Sequence, residues 1–375
     1  MKSNKTLSAL TSMALALPAI AAAETDQQPQ VDYQFSFYQE NDNRMTVRAH
    51  QARTIIPIKD TILQLDLVKD VVSGASPMFI MPARSENGEP TQVLSGASII
   101  EERDVANLGL SRTIQDWDIG LNVGVSSEDD YLSHSASAEL GHDFNQKNTH
   151  LSLAYGVSLD DIGQTGNPSL QESKRSGDIA IGLSQLLDSK SIIEVNLGYG
   201  QHRGYLSDPY KKVFIRSAGI KNDVRPDGRY QWTAQLNYRR HLNEKIALNI
   251  NYRYYHDNWA IQSHTITLGA AINLGHQWIL RPSLRYYSQT QAYFHQNYFD
   301  NLRDDGYHSS DYRLAGFGAI SPEIKLEKQF NDSLSLNLSW RYYRSDDSYQ
   351  LGSNDSVLVD PLSFNLFNIG VSMRF

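Results

Sequence analysis

Alternation of apolar and polar residues with a period of two is the feature that most constrains the fold of this 375-residue chain. In the last nine residues, FNIGVSMRF, every second position from Phe367 to Phe375 is apolar, and the positions between are polar or small. A period of two sends successive side chains to opposite faces of a β-strand. The segment is therefore predicted to be a strand with one apolar face and one polar face.

The same alternation recurs along the chain, in residues 117–125, 151–157, 193–199, 244–255, 263–274 and 333–344. Mainly Gly, Ser and Asn stand between the apolar positions, whereas the outer face of a soluble sandwich carries more Lys and Glu. The chain also holds 21 Tyr and is 10% aromatic, which is typical of a membrane barrel with aromatic girdles. A secreted β-sandwich or a β-rich adhesin is the alternative.

The connections between these segments are of two kinds. Short ones, rich in turn residues, lie near residues 115–116, 145–147, 188–190, 242–243, 275–276 and 331–332. Long ones span residues 69–98, 160–175, 204–228, 290–308 and 345–362. Counting back from the last strand gives sixteen strands, with the first three near residues 31–39, 44–56 and 59–68. We predict an all-β transmembrane antiparallel β-barrel of about 16 strands, within 14–18, with short periplasmic turns and long extracellular loops.

The N-terminus has the pattern of a cleavable secretory signal peptide. Lys2 and Lys5 precede an apolar run over residues 7–20, and the small residues of 21–23 follow. We expect cleavage near Ala23, which leaves residues 24–375 as one barrel domain in the bacterial outer membrane. Loss of the two lysines changes the formal net charge from -8 to -10, and this acidic balance disfavours nucleic acid as a partner. Outer-membrane lipid is the expected surrounding instead.

Cysteine is absent from the sequence. This excludes disulfides, thiol catalysis, Cys-ligated iron–sulfur clusters and covalent c-type haem, and we predict no cofactor. An enzyme is not expected, because G-x-S-x-G is missing and the candidate pairs of a barrel hydrolase are only Ser133 with His134 and His142 with Ser152. The histidines show no metal spacing, and Asp208 beside acidic loop clusters leaves the question of a metal site open.

The C-terminal strand ends on an aromatic residue within its own alternation. Barrels of the outer membrane commonly end in this way, and the insertion machinery of that membrane reads the pattern. We expect Phe375, Met373 and Val371 to form this barrel-insertion signal.

A local repeat, RYY, begins at Arg253, Arg285 and Arg341. Alternation sends each arginine toward the lumen at the outer part of a strand. One interpretation is an aromatic girdle in which Arg stacks on Tyr and bonds to loop carboxylates. The other is a basic arc near the outer mouth that favours anionic solutes or flavin-like planar anions.

The first long loop contains VVSGASPMFIMPA, which is too apolar for a solvated outer loop. A barrel of sixteen strands is wide enough for a water channel unless something fills it. We predict that Gly74, Pro77, Met78, Phe79 and Ile80 belong to a loop that enters the lumen as a constriction or plug. Packing on the barrel rim or on a neighbouring protomer is the alternative.

The chain contains, in this order, the stretches FYQENDNRMTV (37–47), VSGASP (72–77), SSEDDYLS (126–133) and YLSDPYKKV (205–213). Together they resemble a bacterial outer-membrane β-barrel family catalogued as domain-of-unknown-function family 3570. The resemblance implies gene clusters that also encode a flavin-attaching transferase, a small lipoprotein and a thioredoxin-like protein. It therefore implies a role in extracytosolic redox traffic, with a flavoprotein and a small lipoprotein as partners. It brings no catalytic residues.

The function predicted from the sequence is that of an outer-membrane channel or conduit, in redox traffic with flavin-linked partners. A plugged, non-conducting scaffold that anchors periplasmic or surface proteins is the second reading. A barrel hydrolase is the third.

Overall fold

A computed structural model describes residues 28–83, 89–95, 99–352 and 357–375. The predicted signal peptide, residues 1–23, lies outside the described residues. The strands are β1 (Gln30–Glu40), β2 (Met45–Ile58), β3 (Thr61–Gly74), β4 (Pro77–Met81), β5 (Thr91–Leu94), β6 (Ile99–Ile114), β7 (Trp117–Ser127), β8 (Tyr131–Phe144), β9 (Thr149–Ile162), β10 (Glu172–Asp188), β11 (Ser191–Gly204), β12 (Lys212–Ile215), β13 (Gly219–Asn222), β14 (Gly228–Asn243), β15 (Ile246–Asp257), β16 (Gln262–Gly275), β17 (Trp278–Gln289), β18 (Phe317–Gln329), β19 (Leu334–Asp346) and β20 (Ser363–Arg374). Short 3₁₀ turns cover Asn41–Asn43, Tyr312–Leu314 and Asp347–Tyr349.

Sixteen of these strands close into one antiparallel barrel, in which each strand pairs with the next along the chain. The seam joins β1 to β20 over the whole length of β1, from Gln30 opposite Arg374 to Glu40 opposite Phe364. The strands β4 with β5, and β12 with β13, form two separate hairpins outside the barrel wall. The predicted fold class and strand count are confirmed. Within the described ranges, no helix is long and apolar enough to cross a membrane.

Alternation along each strand separates an outer face from a lumen face. In β9 the outer side chains include Leu153, Tyr155 and Leu159, which are 45%, 55% and 56% exposed. Ser152 and Gly156, at positions that alternate with these, face the lumen. An exposed apolar band of this kind, repeated around the barrel, is the surface that hydrocarbon covers in membrane barrels.

The two ends of the barrel differ in their connections. At one end, here the short-turn end, the strands are joined by two to four residues, as at Gln115–Asp116 and His276–Gln277. Left-handed backbone at Gln115, with φ 58°, helps close such a turn. The other end, here the long-loop end, carries the connections over 75–98, 205–227, 290–316 and 347–362. Both β1 and β20 have their free ends at the short-turn end.

The prediction that the third strand ends near residue 68 was wrong, because β3 continues to Gly74. Lys69 and Asp70 read as the start of a polar loop, but both are paired within the wall. Arg103 of β6 donates to Asp70 on the lumen side, and Lys69 lies 3.0 Å from Glu102 on the outer side. Charged residues therefore continue the strand here.

Candidate functional site in the barrel lumen

Three long connections meet at the long-loop end of the barrel. They cover residues 75–95, 205–227 and 290–316 and leave the wall at three separate places, after β3, β11 and β17. The ammonium group of Lys211 donates to the carbonyl of Pro77, and the amide of Arg216 donates to the carbonyl of Phe299 over 2.8 Å. The described residues of these three segments therefore form one assembly, named the loop cap below.

Buried ion pairs hold the loop cap together. Arg313 Nη2 lies 2.6 Å from Asp208 and also contacts Asp311. Arg225 binds Asp223 over 2.6 Å and Asp311 over 2.8 Å. Asp223 and Asp311 are almost completely buried. Removing one partner of such a pair leaves an uncompensated buried charge, which is strongly destabilising, so this network fixes the segments relative to each other.

The network also sets the charge states inside the loop cap. Burial alone would raise the pKa of Asp311, but Arg313, Lys211 and Arg225 hold it well below its usual range. Burial lowers the pKa of Lys211 to about 8, against the attraction of Asp311. Burial likewise lowers the pKa of His295 to about 4. At neutral pH this histidine is therefore uncharged, and neither ring nitrogen has a hydrogen-bond partner among the described residues.

Apolar side chains complete the loop cap. Val213, Ile215 and Phe299 form one buried cluster. A second cluster joins the loop cap to the wall: Tyr255, Trp259, Ile261, Ala292, Phe294 and Leu314. The amide group of Gln289, at the end of β17, donates to the carbonyl of Ala315 over 2.6 Å. The loop cap is therefore packed onto the long-loop end of the barrel wall rather than standing free in solvent.

The residues predicted to form a lumen plug lie where this assembly begins. Gly74 is the last residue of β3, with φ 138°, and a Cβ there would stand 2.2 Å from the carbonyl oxygen of Arg44. Pro77, Met78, Phe79 and Ile80 belong to β4. Ile80 is 3% exposed and Phe79 is 8% exposed, because the hairpin packs inside the loop cap. Whether it constricts a pore stays a prediction.

Below the loop cap, charges of opposite sign line two adjoining sectors of the lumen wall. The lumen positions of β7 to β11 carry the acidic residues Asp118, Glu139, Asp143, Asp160, Glu172, Asp178 and Glu194, with one basic residue, Lys174. Those of β14 to β19 carry the basic residues Arg229, Arg239, Arg253, Arg281, Arg285, Lys325 and Arg341, with the acidic residues Asp257, Glu323 and Glu327. The lumen therefore has an acidic sector and a basic sector.

The three arginines of the RYY repeat stand at one height in the basic sector. Each is the eighth residue of its strand, in β15, β17 and β19. Arg253 and Arg285 lie 6.0 and 5.6 Å from the ring centres of Tyr255 and Tyr287. Arg341 instead lies 2.5 Å from Glu323. The structure thus separates Arg341 from the other two, and a role for any of them in selectivity stays a prediction.

A second constellation, which the sequence analysis missed, lies on the lumen face near the short-turn end. His150 Nδ1 is 2.8 Å from Asp143 and 3.9 Å from Asp118, and ligand atoms of all three lie within 4.8 Å of one another. The three residues come from β7, β8 and β9, so no sequence spacing reveals them. Two carboxylates and an imidazole are a donor set that a divalent cation such as Zn²⁺ accepts. Asp208 pairs with Arg313, so this cluster replaces Asp208 as the candidate for the metal site that the sequence left open.

The candidate pairs of a hydrolase are not brought together. Ser133 and His134 are consecutive in β8, so they point to opposite faces of the wall, and the Ser133 hydroxyl donates to Asp160 over 2.6 Å. His142 faces outward, with its ring 4.2 Å from that of Trp117. Ser152 is the register partner of Gly141, so it faces the lumen, on the side of the wall away from His142.

The residues of the expected insertion signal lie on the outer face of β20. Met373 is 45% exposed and Phe375 is 70% exposed, and Val371 precedes them on the same face. The amide of Phe375 donates to the carbonyl of Pro29 over 2.9 Å, which extends the seam to the last residue. Recognition of these residues by the insertion machinery stays a prediction.

Two solved barrels resemble the structure. CdiB from Acinetobacter baumannii has a TM-score of 0.54 at 11% identity; the match covers 92% of this chain and 60% of CdiB. A bacterial polysaccharide outer membrane secretin has a TM-score of 0.50 at 8% identity, over 94% of this chain and 100% of the secretin. At such identities the likeness concerns the fold alone. It is the fold of bacterial outer-membrane proteins, which supports an outer-membrane location.

Comparison with sequences leads to a family. No curated protein matches the chain. The profile of a family described as "Protein of unknown function (DUF3570)" matches residues 7–175 and 164–365, which together cover most of the chain. The chain belongs to the DUF3570 family.

Proposed function

We propose that the protein is an outer-membrane channel for small polar solutes, with the loop cap narrowing its outer mouth. The observation that carries this proposal is the lumen wall, where an acidic sector adjoins a basic sector and Gly, Ser and Asn fill the positions between. A barrel of sixteen strands can hold an aqueous path. Charged rings and patches along such a path decide which solutes pass.

The orientation follows from the general plan of such barrels. We place the short-turn end in the periplasm and the long-loop end outside the cell. Cleavage of the signal peptide near Ala23 and insertion through Phe375, Met373 and Val371 belong to the same proposal. The apolar outer face of the strands supports it.

A non-conducting scaffold is the second candidate, and the loop cap favours it. Segments from three places around the wall are locked by buried pairs such as Arg225 with Asp311. If that lock leaves no path for water, the outer surface of the loop cap serves as a platform for other proteins. Flavin-linked partners in extracytosolic redox traffic, implied by the family resemblance, fit either candidate, as conduit or as anchor.

Conductance in a planar lipid bilayer separates the two candidates. The sample is mature protein whose heat-modifiable migration on gels demonstrates a folded barrel. We expect steady conductance, and a larger conductance when residues 77–94 are replaced by a short Gly-Ser linker. Silence from both folded proteins would overturn the channel proposal and leave the scaffold.

A further inference from the structure

Two neighbouring arginines of the basic sector differ from the others in having no acidic partner. Six arginines on lumen positions each pair with a carboxylate: Arg53 with Asp66, Arg103 with Asp70, Arg229 with Asp257, Arg239 with Glu194, Arg281 with Glu327 and Arg341 with Glu323. Arg253 and Arg285 form no ion pair and no side-chain hydrogen bond with any residue that the structure describes. From this contrast we propose that Arg253 and Arg285 together bind a small oxyanion, carboxylate or phosphate, in the lumen.

The strand between the two arginines brings them together. Arg253 of β15 is register partner of Thr265, and Arg285 of β17 is register partner of Thr267, on opposite sides of β16. Two strand spacings and a two-residue offset put the Cα atoms roughly 12 Å apart. Two extended arginine side chains span that distance, so one anion between them can contact both guanidinium groups.

The surroundings supply hydrogen-bond donors and no competing acid. The hydroxyls of Thr265 and Thr267 lie between the arginines, and each can donate to an oxyanion. On β14 and β16 the lumen positions beside Arg253 are uncharged. The nearest acid to Arg285 is Glu323, one strand away and diagonal in register. Arg341 already holds Glu323 at 2.5 Å.

The chemistry of the pair favours oxyanions over halides. A guanidinium group offers a planar fork of N–H donors that matches two oxygens of a carboxylate or a phosphate. The rings of Tyr255 and Tyr287 border the arginines and fix their direction, because their hydroxyls are engaged with Asp257 and Gln289. The ligand that supplies these two oxygens can be free phosphate or an organic acid, and the experiment tests the two separately.

The inference rests on the proposed function only in identifying the bound anion with a transported solute. Equilibrium binding tests the site without conduction. Isothermal titration calorimetry of the folded mature protein in detergent uses sodium phosphate and, separately, sodium succinate, at an ionic strength held constant with chloride. We expect saturable binding of at least one of the two, weakened about tenfold or more in the R253Q/R285Q variant.

The matched control neutralises a paired arginine together with its acid. The R341Q/E323Q variant leaves the net charge of the wall unchanged, so we expect binding as in the wild type. If R253Q/R285Q fails to fold, R253K/R285K keeps the charges but loses the planar forks, and we expect weaker binding there too.

Three results would overturn the site: no binding by the wild type, unchanged binding by R253Q/R285Q, or equal loss in the control. If the protein binds the anion but does not conduct in bilayers, the anion site is supported and the channel proposal is overturned. If it conducts but does not bind the anion, the channel proposal is supported and the anion site is overturned.

Discussion

The loop cap and the lumen wall contain the same types of charged side chain, but these serve different purposes in the two regions. In the loop cap, Asp223, Asp311 and Arg225 are withdrawn from water and bound to each other, so their charges hold segments in place. In the wall, side chains such as Arg285 and Glu139 line the lumen, and the signs are sorted into sectors. Burial with a partner makes a charge structural, whereas exposure without one leaves it available to a solute.

The largest effect is expected from breaking the loop cap at its centre. Arg313→Ala leaves Asp208 without its arginine and Asp311 with Arg225 alone, which costs about 3–5 kcal/mol of local stability. Hydrogen exchange of residues 205–227 and 290–316 measures it as faster exchange. The control is Arg303→Ala, whose partner Asp305 is one-third exposed and whose loss costs about 0–1 kcal/mol. Equal exchange in both variants would contradict the structural role of the network.

Acid should loosen the loop cap. The pKa of His295 is about 4 in the folded state and about 6.5 when the segment opens. The open state therefore binds more protons between these values, so stability present above pH 6.5 is lost as the pH falls toward 4, by up to about 3 kcal/mol. Hydrogen exchange of residues 290–316 at pH 7 and pH 5 measures this loss. In the His295→Phe variant, the difference in hydrogen exchange between pH 7 and pH 5 should shrink. An unchanged difference would mean that protonation of His295 is not what loosens the loop cap.

A smaller effect is expected where the wall passes into the loop cap. Gly74→Ala places a Cβ against the Arg44 carbonyl at positive φ, and we expect a loss of about 2 kcal/mol in the free energy of unfolding. Gly219→Ala is the control, since Gly219 has φ 75° but nothing within 4 Å of its added Cβ, and its cost is about 1 kcal/mol. Urea unfolding followed by tryptophan fluorescence compares them. The expectation fails if the Gly219 variant is the less stable.

The smallest effect is expected from the paired arginine of the RYY repeat. In a KCl gradient, the reversal potential of R253A/R285A should show a loss of anion preference. Adding Arg341→Ala together with Glu323→Ala should change it little further, because that pair is neutral as a unit. If neutralising Arg341 and Glu323 changed the reversal potential more than neutralising Arg253 and Arg285, then Arg253 and Arg285 would not be the arginines that set the anion preference.

The strands of the barrel wall could be predicted from the sequence because alternation is a local property. A period of two in residues such as Leu336, Leu338 and Trp340 marks a strand and its apolar face without knowledge of any partner. Lys69 and Asp70 show where a local pattern is insufficient: their charges resemble the start of a loop, and their partners Glu102 and Arg103 lie some thirty residues away in the chain.

The loop cap was beyond sequence reasoning for the same reason. Arg313 meets Asp208 across 105 residues, and Lys211 meets Pro77 across 134. The RYY repeat shows the limit within the wall: three identical motifs predict three similar side chains. The register of β18 against β19, which places Glu323 opposite Arg341, makes one of them different.

The seam between β1 and β20 has a consequence for how the chain is made. Its partners, such as Gln30 and Arg374, stand at opposite ends of the sequence, so the earliest strand waits with an open edge until the last one has been synthesised. Pairing of such remote segments is slow because a long loop must close before any contact rewards it. Until β20 pairs with β1, the chain therefore exposes unpaired strand edges, and such edges favour aggregation.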